Sequence, residues 1–463
     1  MGPFLKSNNK TSKIMLNLLI ALTPIVLFTT YKNGYIPYSK GYTALFGLLY
    51  PLIFILIGAI TSFLTEVIYA LIFKREIFKE YISESFGLFP GLFLSLVLPL
   101  NTPISVLITG AIFAIVIGKL VFGGFGKNIF NPALLGYLFI VVSFSSIFTT
   151  NAYLNPYELD TISGATPLTN SSLVSGIGTY KEIVAPYGNL WDFFIGNIPG
   201  SLGETSALFC LIGFIYLTLT KTIKWKIPVI YISTVFIANV IVARILGIGI
   251  YYPLFNVLSG GLMFGAIFMA TDPVTSPVTN VGQILYGLFL GILTVLFRFK
   301  NVEGVSISIL IMNMLVFILD RIGAKSRFNL SKASIWMSLT LVLILFVGVY
   351  IANNNKIDNR DPNFNIINKD VDASTTIYTV TEKGYGGNIK AEIKIKDDKV
   401  ISFEILSNNE SIDKYKLVTD SNYINKLVSS DDLENVDTVS GATITSTSLK
   451  KMLINVMEDY EKD

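Results

Sequence analysis

Apolar runs long enough to cross about 30 Å of hydrocarbon as helices recur from Ile14 to Ile351, and no other feature restricts the fold so tightly. Inside a bilayer no water pairs with exposed backbone groups, so each run must close its own hydrogen bonds as a helix. The pattern predicts spans near 14–31, 43–73, 84–100, 103–122, 131–149, 205–220, 227–248, 252–270, 279–297, 304–322 and 334–351. Beyond the last run the composition flips to a polar tail. Of the 463 residues 52% are hydrophobic and only 14% charged, with a mean hydropathy of +0.61, which is too apolar and charge-poor for an ordinary soluble chain. The expected fold is a polytopic α-helical membrane protein with two internal repeats and broken helices, followed by a small extracytoplasmic α+β domain.

Lys and Arg collect on the cytoplasmic side of short loops, which sets the expected orientation. Lys6, Lys10 and Lys13 place the N-terminus inside. Counting crossings from there puts Lys74, Arg75 and Lys79, then Lys221, Lys224 and Lys226, then Arg321, Lys325 and Arg327 inside as well. Arg298 and Lys300 are the exception. The same parity places the loop from about Thr150 to Gly203, whose only basic residue is Lys181, on the outer face together with the tail. The first span lacks a clear small-residue cleavage site and is expected to stay as an uncleaved helix rather than a signal peptide.

A formal net charge of +3 is modest, and its cations lie where topology wants them, so nucleic-acid binding has no support. One cysteine, Cys210, excludes an internal disulfide framework and an all-cysteine cluster within the chain. The absence of any histidine removes haem ligation by His, His-based proton relays, Ser-His-Asp chemistry and most zinc sites. No metal site and no complete catalytic centre are expected.

Gly91-Leu92-Phe93 and Gly261-Leu262-Met263 each lead an apolar stretch ending in a proline at the same spacing, Pro103 and Pro273. Interrupted hydrophobic segments at corresponding places point to structural repeats whose half-helices surround a ligand or ion site. Chance prolines in membrane helices are the competing reading. Gly118 to Ala133 forms a glycine-rich connection whose backbone amides suit an anion or the approach of a flat ring; it is not a Walker loop. Gly200 to Ser206 reads as the cap of the following helix. Ionisable residues at membrane depth are expensive, which singles out Glu66 and Asp272 as ion-path candidates. For Glu66 the alternative is a carboxylate bonded to a neighbouring helix. Asp320 and Arg321 sit at a span end within reach of water.

One short turn occurs twice, as Asp160 to Thr166 and as Asp437 to Thr443, each reading Asp-x-x-Ser-Gly-Ala-Thr. The first copy lies between membrane-length runs and the second in the polar tail. Glycine permits positive φ, while Ser and Asp bond to local amides and present the threonine hydroxyl outward. A plain polar turn is the bland alternative. The signature resembles the acceptor motif on which a flavin transferase esterifies the phosphate of FMN to the last threonine. On that resemblance the cofactor-binding residues are Asp160, Ser163, Gly164, Ala165 and Thr166 in one copy, and Asp437, Ser440, Gly441, Ala442 and Thr443 in the other.

Residues 10 to 325 resemble the D-type membrane subunit of the Rnf electron-transport complex, related to the B-type subunit of the sodium-pumping NADH:quinone reductase. The segments that carry the resemblance are Gly118 to Ala133, Asp160 to Leu168, Gly200 to Ser206, Gly260 to Pro277, and Glu303-Gly304 followed by Asn313 and Asp320. The remainder looks like the G-type subunit of the same complex, with an anchoring span from Ser334 to Ile351 and an FMN-binding domain. Its expected strands run from Gly384 through Lys396 and from Val400 to Leu406, and Ser446 to Met457 reads as a short helix whose start suits a phosphodiester. Glu410 to Tyr415 departs from the Glu-Thr-Pro-Gly-Leu-Gly-like segment usual in the G type. The expected domains are 1–326, a linker and anchor at 327–352, and 353–463.

The resemblance implies FMN attached through phosphoester to Thr166 and Thr443, and allows a further non-covalent flavin in the membrane domain. It implies electron transfer between ferredoxin and NAD coupled to sodium or proton translocation in a bacterial cell membrane. The implied partners are the other subunits of the complex, a flavin transferase and membrane lipid. Two other readings stand beside it: a membrane carrier without a redox role, and a flavin-bearing anchor for extracellular electron transfer without pumping.

Overall fold

A computed structural model describes residues 11–145, 167–168, 180–300, 304–326, 330–354, 364–372, 375–384, 387–396, 399–410, 412–430, 433, 436–439 and 442–460. The chain divides into two compact units, Met1–Asn355 and Lys356–Asp463.

The first unit is a helical bundle. Its described helices are α1 (Thr11–Thr30), α2 (Ile36–Ser39), α3 (Leu45–Phe73), α4 (Phe78–Ser85), α5 (Leu88–Val97), α6 (Ile104–Ile115), α7 (Pro132–Ser143), α8 (Tyr180–Ile183) and α9 (Leu190–Ile195). They continue with α10 (Ala207–Leu219), α11 (Lys226–Ile245), α12 (Tyr251–Leu258), α13 (Leu262–Phe264), α14 (Asn280–Lys300), α15 (Val305–Ser326) and α16 (Leu330–Asn354). Five helical stretches are long and apolar enough to cross a membrane, one further bent pair passes the same test together, and five shorter apolar helices accompany them. Each of the eleven expected spans therefore has a helix.

Several boundaries differ from expectation for identifiable reasons. The run expected at 252–270 is not one span, because α12 and the segment Leu262–Met269 meet at 63°. The break falls at Ser259-Gly260-Gly261, where Gly260 takes φ +65°, a conformation costly for any side chain. Pro273 thus lies beyond the second half-helix, which ends at Met269, instead of marking the break. The stretch expected at 84–100 splits into α4 and α5, separated by Phe86 at φ 50°. Three π-helical turns have no counterpart in the expectation: Tyr31–Tyr35, Val116–Leu120 and Gly265–Met269. The extra residue in such a turn rotates a side chain out of the helical register. In the first two of these turns it brings a lysine indoors, Lys32 and Lys119, each 2% exposed.

The two segments matched in sequence touch in space. The rings of Phe93 on α5 and Phe264 on α13 are 6.2 Å apart. Small residues let the backbones close up: a Cβ on Gly91 would stand 1.9 Å from the Gly58 carbonyl oxygen. At one end of the bundle the loop before α10 crosses the breaks, with the Gly203 N–H donating to the Leu96 carbonyl at 2.7 Å and Glu204 packed on Gly261. Lys32 donates to the Ile198 carbonyl of that loop.

The second unit is a four-stranded antiparallel sheet in the order β1 (Asn365–Asp372), β2 (Thr375–Lys383), β3 (Asn388–Lys396), β4 (Lys399–Asn408). Helices α17 (Ile412–Asp420), α18 (Tyr423–Val428) and α19 (Thr443–Tyr460) complete it. One face of β3 is wholly buried at Ile389, Ala391, Ile393 and Ile395, and it packs with Leu449, Met452, Leu453 and Val456 of α19. Alternation at period two on the strand and period 3.6 on the helix produces this core. Only β3 and β4 were expected as strands, and α19 starts at Thr443 rather than after it.

Candidate functional site

The end of the bundle where α1 begins encloses a small recess that is partly open. Elements far apart in sequence converge on it: the start of α5, the glycine-rich connection after α6, the start of α7, the loop after α10 and the stretch following the bent pair.

The glycine-rich connection is built for a tight reversal. Gly123, Gly124 and Gly126 take φ of 105°, 96° and 83°, and the Gly124 N–H donates back to the Lys119 carbonyl at 3.0 Å. Asn131 then caps α7, with Pro132 at the first helical position and the Asn131 Oδ1 accepting from the Ala133 N–H at 3.1 Å. Its backbone N–H donates to Asn313 Oδ1 at 3.1 Å, and Asn313 Nδ2 donates to the Thr275 carbonyl and to Tyr286 Oη, both at 3.1 Å. One buried amide therefore ties the first repeat to the chain that follows the second break.

Aromatic rings form the apolar wall. Phe86 and Phe125 lie 5.2 Å apart and Phe89 and Phe93 6.3 Å apart, all four facing the recess. Polar groups converge from the rest: Asn128, Asn131, Thr271, Asp272 and Lys119. Asp272 accepts from the Val274 N–H at 3.3 Å and from Thr275 Oγ1 at 3.0 Å. Nearby in the loop after α10, Lys224 donates to Ser276 Oγ at 3.2 Å and to the Pro277 carbonyl at 2.9 Å. Burial pushes this ammonium below its usual value, against the upward pull of Asp320 and Asp272.

Glu66 is fully buried, and its bonded alternative is what the fold displays. Both of its carboxylate oxygens stand 2.9 Å from Lys119 Nζ, and Tyr81 Oη donates to it at 3.4 Å. Gly87 makes the niche, since a Cβ there would come within 2.1 Å of Glu66 Oε2.

In the tail, Thr443 is the first residue of α19, an 18-residue helix without an acidic side chain in its first turn. The preceding turn is pinned by Ser446, whose Oγ accepts from the Val439 N–H at 3.1 Å and donates to the Ala442 carbonyl at 3.0 Å. Lys450 Nζ donates to the Val436 carbonyl at 3.0 Å. Glu410 reaches across from the end of β4 and accepts from Thr445 Oγ1 at 2.8 Å, while a Cβ on Gly384 would collide with its carboxylate. Asp437 is exposed and Ala442 buried.

Residues 1–329 match the NQR2, RnfD, RnfE family, and residues 384–458 match the FMN-binding domain. The chain belongs to the NQR2, RnfD, RnfE family. It is 40% identical over 223 residues to the D subunit of the proton-translocating ferredoxin:NAD(+) oxidoreductase complex of Clostridium ljungdahlii, covering 48% of this chain and 67% of that one. It is 37% identical over 230 residues to the D subunit of the Na(+)-translocating ferredoxin:NAD(+) oxidoreductase complex of Acetobacterium woodii, covering 49% and 67%. The B subunit of the Na(+)-translocating NADH-quinone reductase of Chromohalobacter salexigens is 34% identical over 221 residues, covering 46% and 51%.

The site residues expected from sequence meet the structure unevenly. Asp160, Ser163, Gly164, Ala165 and Thr166 lie outside the described residues, as do Ser440 and Gly441. Pro167 and Leu168, next after the first copy, are described and buried. The structure brings Gly118 to Ala133 and Asp272 together at one recess, which the separate sequence readings did not join. Ser446, Lys450 and Asn313's bridging role were missed. No local pattern announces them, because each acts on a carbonyl or amide chosen by the fold.

Proposed function

We propose that this chain is the flavin-carrying membrane subunit of an ion-translocating electron-transport complex that couples electron transfer between ferredoxin and NAD to sodium or proton movement. A single observation carries the reading: a membrane domain of the NQR2, RnfD, RnfE family and an FMN-binding domain occur in one chain, and the acceptor threonine of the tail opens a long helix. Unpaired N–H groups and the macrodipole at such a helix start favour a phosphodiester. Thr443, and Thr166 in the bundle, would each hold FMN through a phosphoester, with the Asp, Ser, Gly and Ala of each motif shaping the turn. A bound flavin supplies electron acceptance and release. The protein's share is to hold it, keep water away and set the local charge.

The aromatic and amide walls of the recess suit a further, non-covalent flavin, since they offer stacking faces together with convergent hydrogen-bonding groups. The basic clusters favour a cytoplasmic position for this recess in a bacterial cell membrane and an extracytoplasmic one for the tail, where covalent attachment would replace affinity. A flavin transferase would mature the protein, and other subunits of the complex with surrounding lipid would complete its setting.

Peptide mass mapping and ultraviolet fluorescence of the denatured, gel-separated chain test the attachment. Thr166→Ala and Thr443→Ala should each remove one FMN-sized adduct, and the double variant should be dark. Unmodified threonine at both positions in matured wild type would overturn the covalent reading. Ion uptake by vesicles during ferredoxin-driven NAD reduction separates pumping from plain conduction. Uptake that persists in an assembled complex with both threonines changed would exclude these flavins from the route.

A further inference from the structure

Lys119 and Glu66 form an ion pair in which only one member meets the recess. Lys119 is part of its wall, and its ammonium lies 5.6 Å from the centre of the Phe125 ring that shares that wall. The Glu66 carboxylate is absent from the lining and sits behind the ammonium, in the niche kept open by Gly87. The Ser85 carbonyl takes a further hydrogen bond from Lys119, which fixes the direction of the pair. Across the recess the other charged lining residue is Asp272, already bonded to Val274 and Thr275.

Two opposite charges held one behind the other do not cancel at a nearby point; the nearer one dominates. We infer that Lys119 is a positioning residue whose ammonium, restrained by Glu66, makes the recess favour an electron on the flavin it holds. This rests on the reading of the recess as a flavin site and adds to it the group that sets the flavin's potential. The π-helical turn Val116–Leu120 is the local device that turns Lys119 inward, and its neighbour Gly118 allows the contact with Pro132 on which the turn rests. Glu66 weakens the effect by its opposite charge while preventing the ammonium from swinging away. Removing either partner therefore changes the field at the recess in opposite senses.

The test uses the full-length chain with Thr166→Ala and Thr443→Ala, so that any remaining flavin is non-covalent. Acid-extractable flavin is quantified, and the ratio of reduced to oxidised flavin is read spectroscopically at a fixed redox poise. A unit charge at this range is expected to move that ratio by about tenfold. Lys119→Gln should lower it, Glu66→Gln should raise it, and Lys119→Arg should stay near the parent. Removing one partner of a buried pair threatens folding, whereas replacing both is tolerated, so Glu66→Gln with Lys119→Gln provides a second route. That double variant should lie below the parent but above Lys119→Gln alone. Shifts of the same sign in the two single variants, or a double variant at or above the parent, would overturn the inference. No extractable flavin in the parent would overturn the reading of the recess and the inference with it, an outcome distinguishable from flavin that is present but unmoved.

Discussion

Asn313 in the bundle and Ser446 in the tail do the same job, tying a loop to a helix through both faces of one polar group, yet their surroundings differ completely. Asn313 is 3% exposed among apolar helices and bonds to groups 182, 38 and 27 residues away. Ser446 works within its own helix start, on Val439 and Ala442. In hydrocarbon an orphaned amide costs several kcal/mol, and at the recess the bundle closes such groups into sets, of which Glu66 with Lys119 is another. The tail rests on a sheet-and-helix core, and Ser446 only shapes the turn before Thr443. Asn313 therefore joins distant elements of the bundle, while Ser446 acts on its own helix start.

The strongest way to break that contrast is Asn313→Ala. It strands the Asn131 N–H and the Thr275 carbonyl at buried positions, for an expected loss of about 4 kcal/mol. All three tryptophans, Trp191, Trp225 and Trp336, lie in the first unit, so intrinsic fluorescence in detergent reads the bundle alone. The unfolding midpoint should fall steeply, with hydrogen exchange in β3 and α19 unchanged. A tail that loosens in parallel would show the two units to be one cooperative body.

Ser446→Ala should cost about 1–2 kcal/mol, since it removes two hydrogen bonds at the helix start. Its sharper readout is chemical. The FMN adduct at Thr443 should decrease while that at Thr166 stays level in the same preparation, because only one of the two turns has been altered. Equal loss at both sites would mean the substitution acts on expression or maturation rather than on the turn.

How much of this was legible in the chain follows from the same difference. Apolar runs show directly in sequence, so each span was found, and Gly118 to Ala133 stood out as a glycine-rich connection. The break at Gly260 was missed because hydrophobicity continues through it and the nearby Pro273 offered a more conventional stop. π-helical turns leave no compositional trace, which hid both Lys32 and Lys119. Glu66 was noticed as costly, but its partner lies 53 residues on and is reached only through the packing of α3 against α6. In the tail β1 reads Asn365 to Asp372 with hardly any apolar alternation, as an edge strand with exposed Ile367 and Val371 can. The repeated motif singled out Thr443 as an expected acceptor, whereas the Glu410 contact with Thr445 depended on strand register.

A smaller effect tests how the tail tolerates a buried polar group without a partner. Tyr423 is 2% exposed and its buried hydroxyl has no hydrogen-bond partner among the described residues. Burial raises its pKa above the ordinary value of 10.0, so the folded state retains a proton that the unfolded state gives up. Folded protein then binds more protons than unfolded protein above about pH 10, and the linkage relation makes stability fall as pH rises through that window. Tyr423→Phe removes both the stranded hydroxyl and the titration. Near neutral pH it should be neutral or stabilising by up to about 1 kcal/mol. Above pH 10 its advantage over wild type should widen, as measured by hydrogen exchange of α18 and α19 across a pH series with intrinsic rates corrected. A constant or narrowing difference would mean that the hydroxyl has a partner in solution.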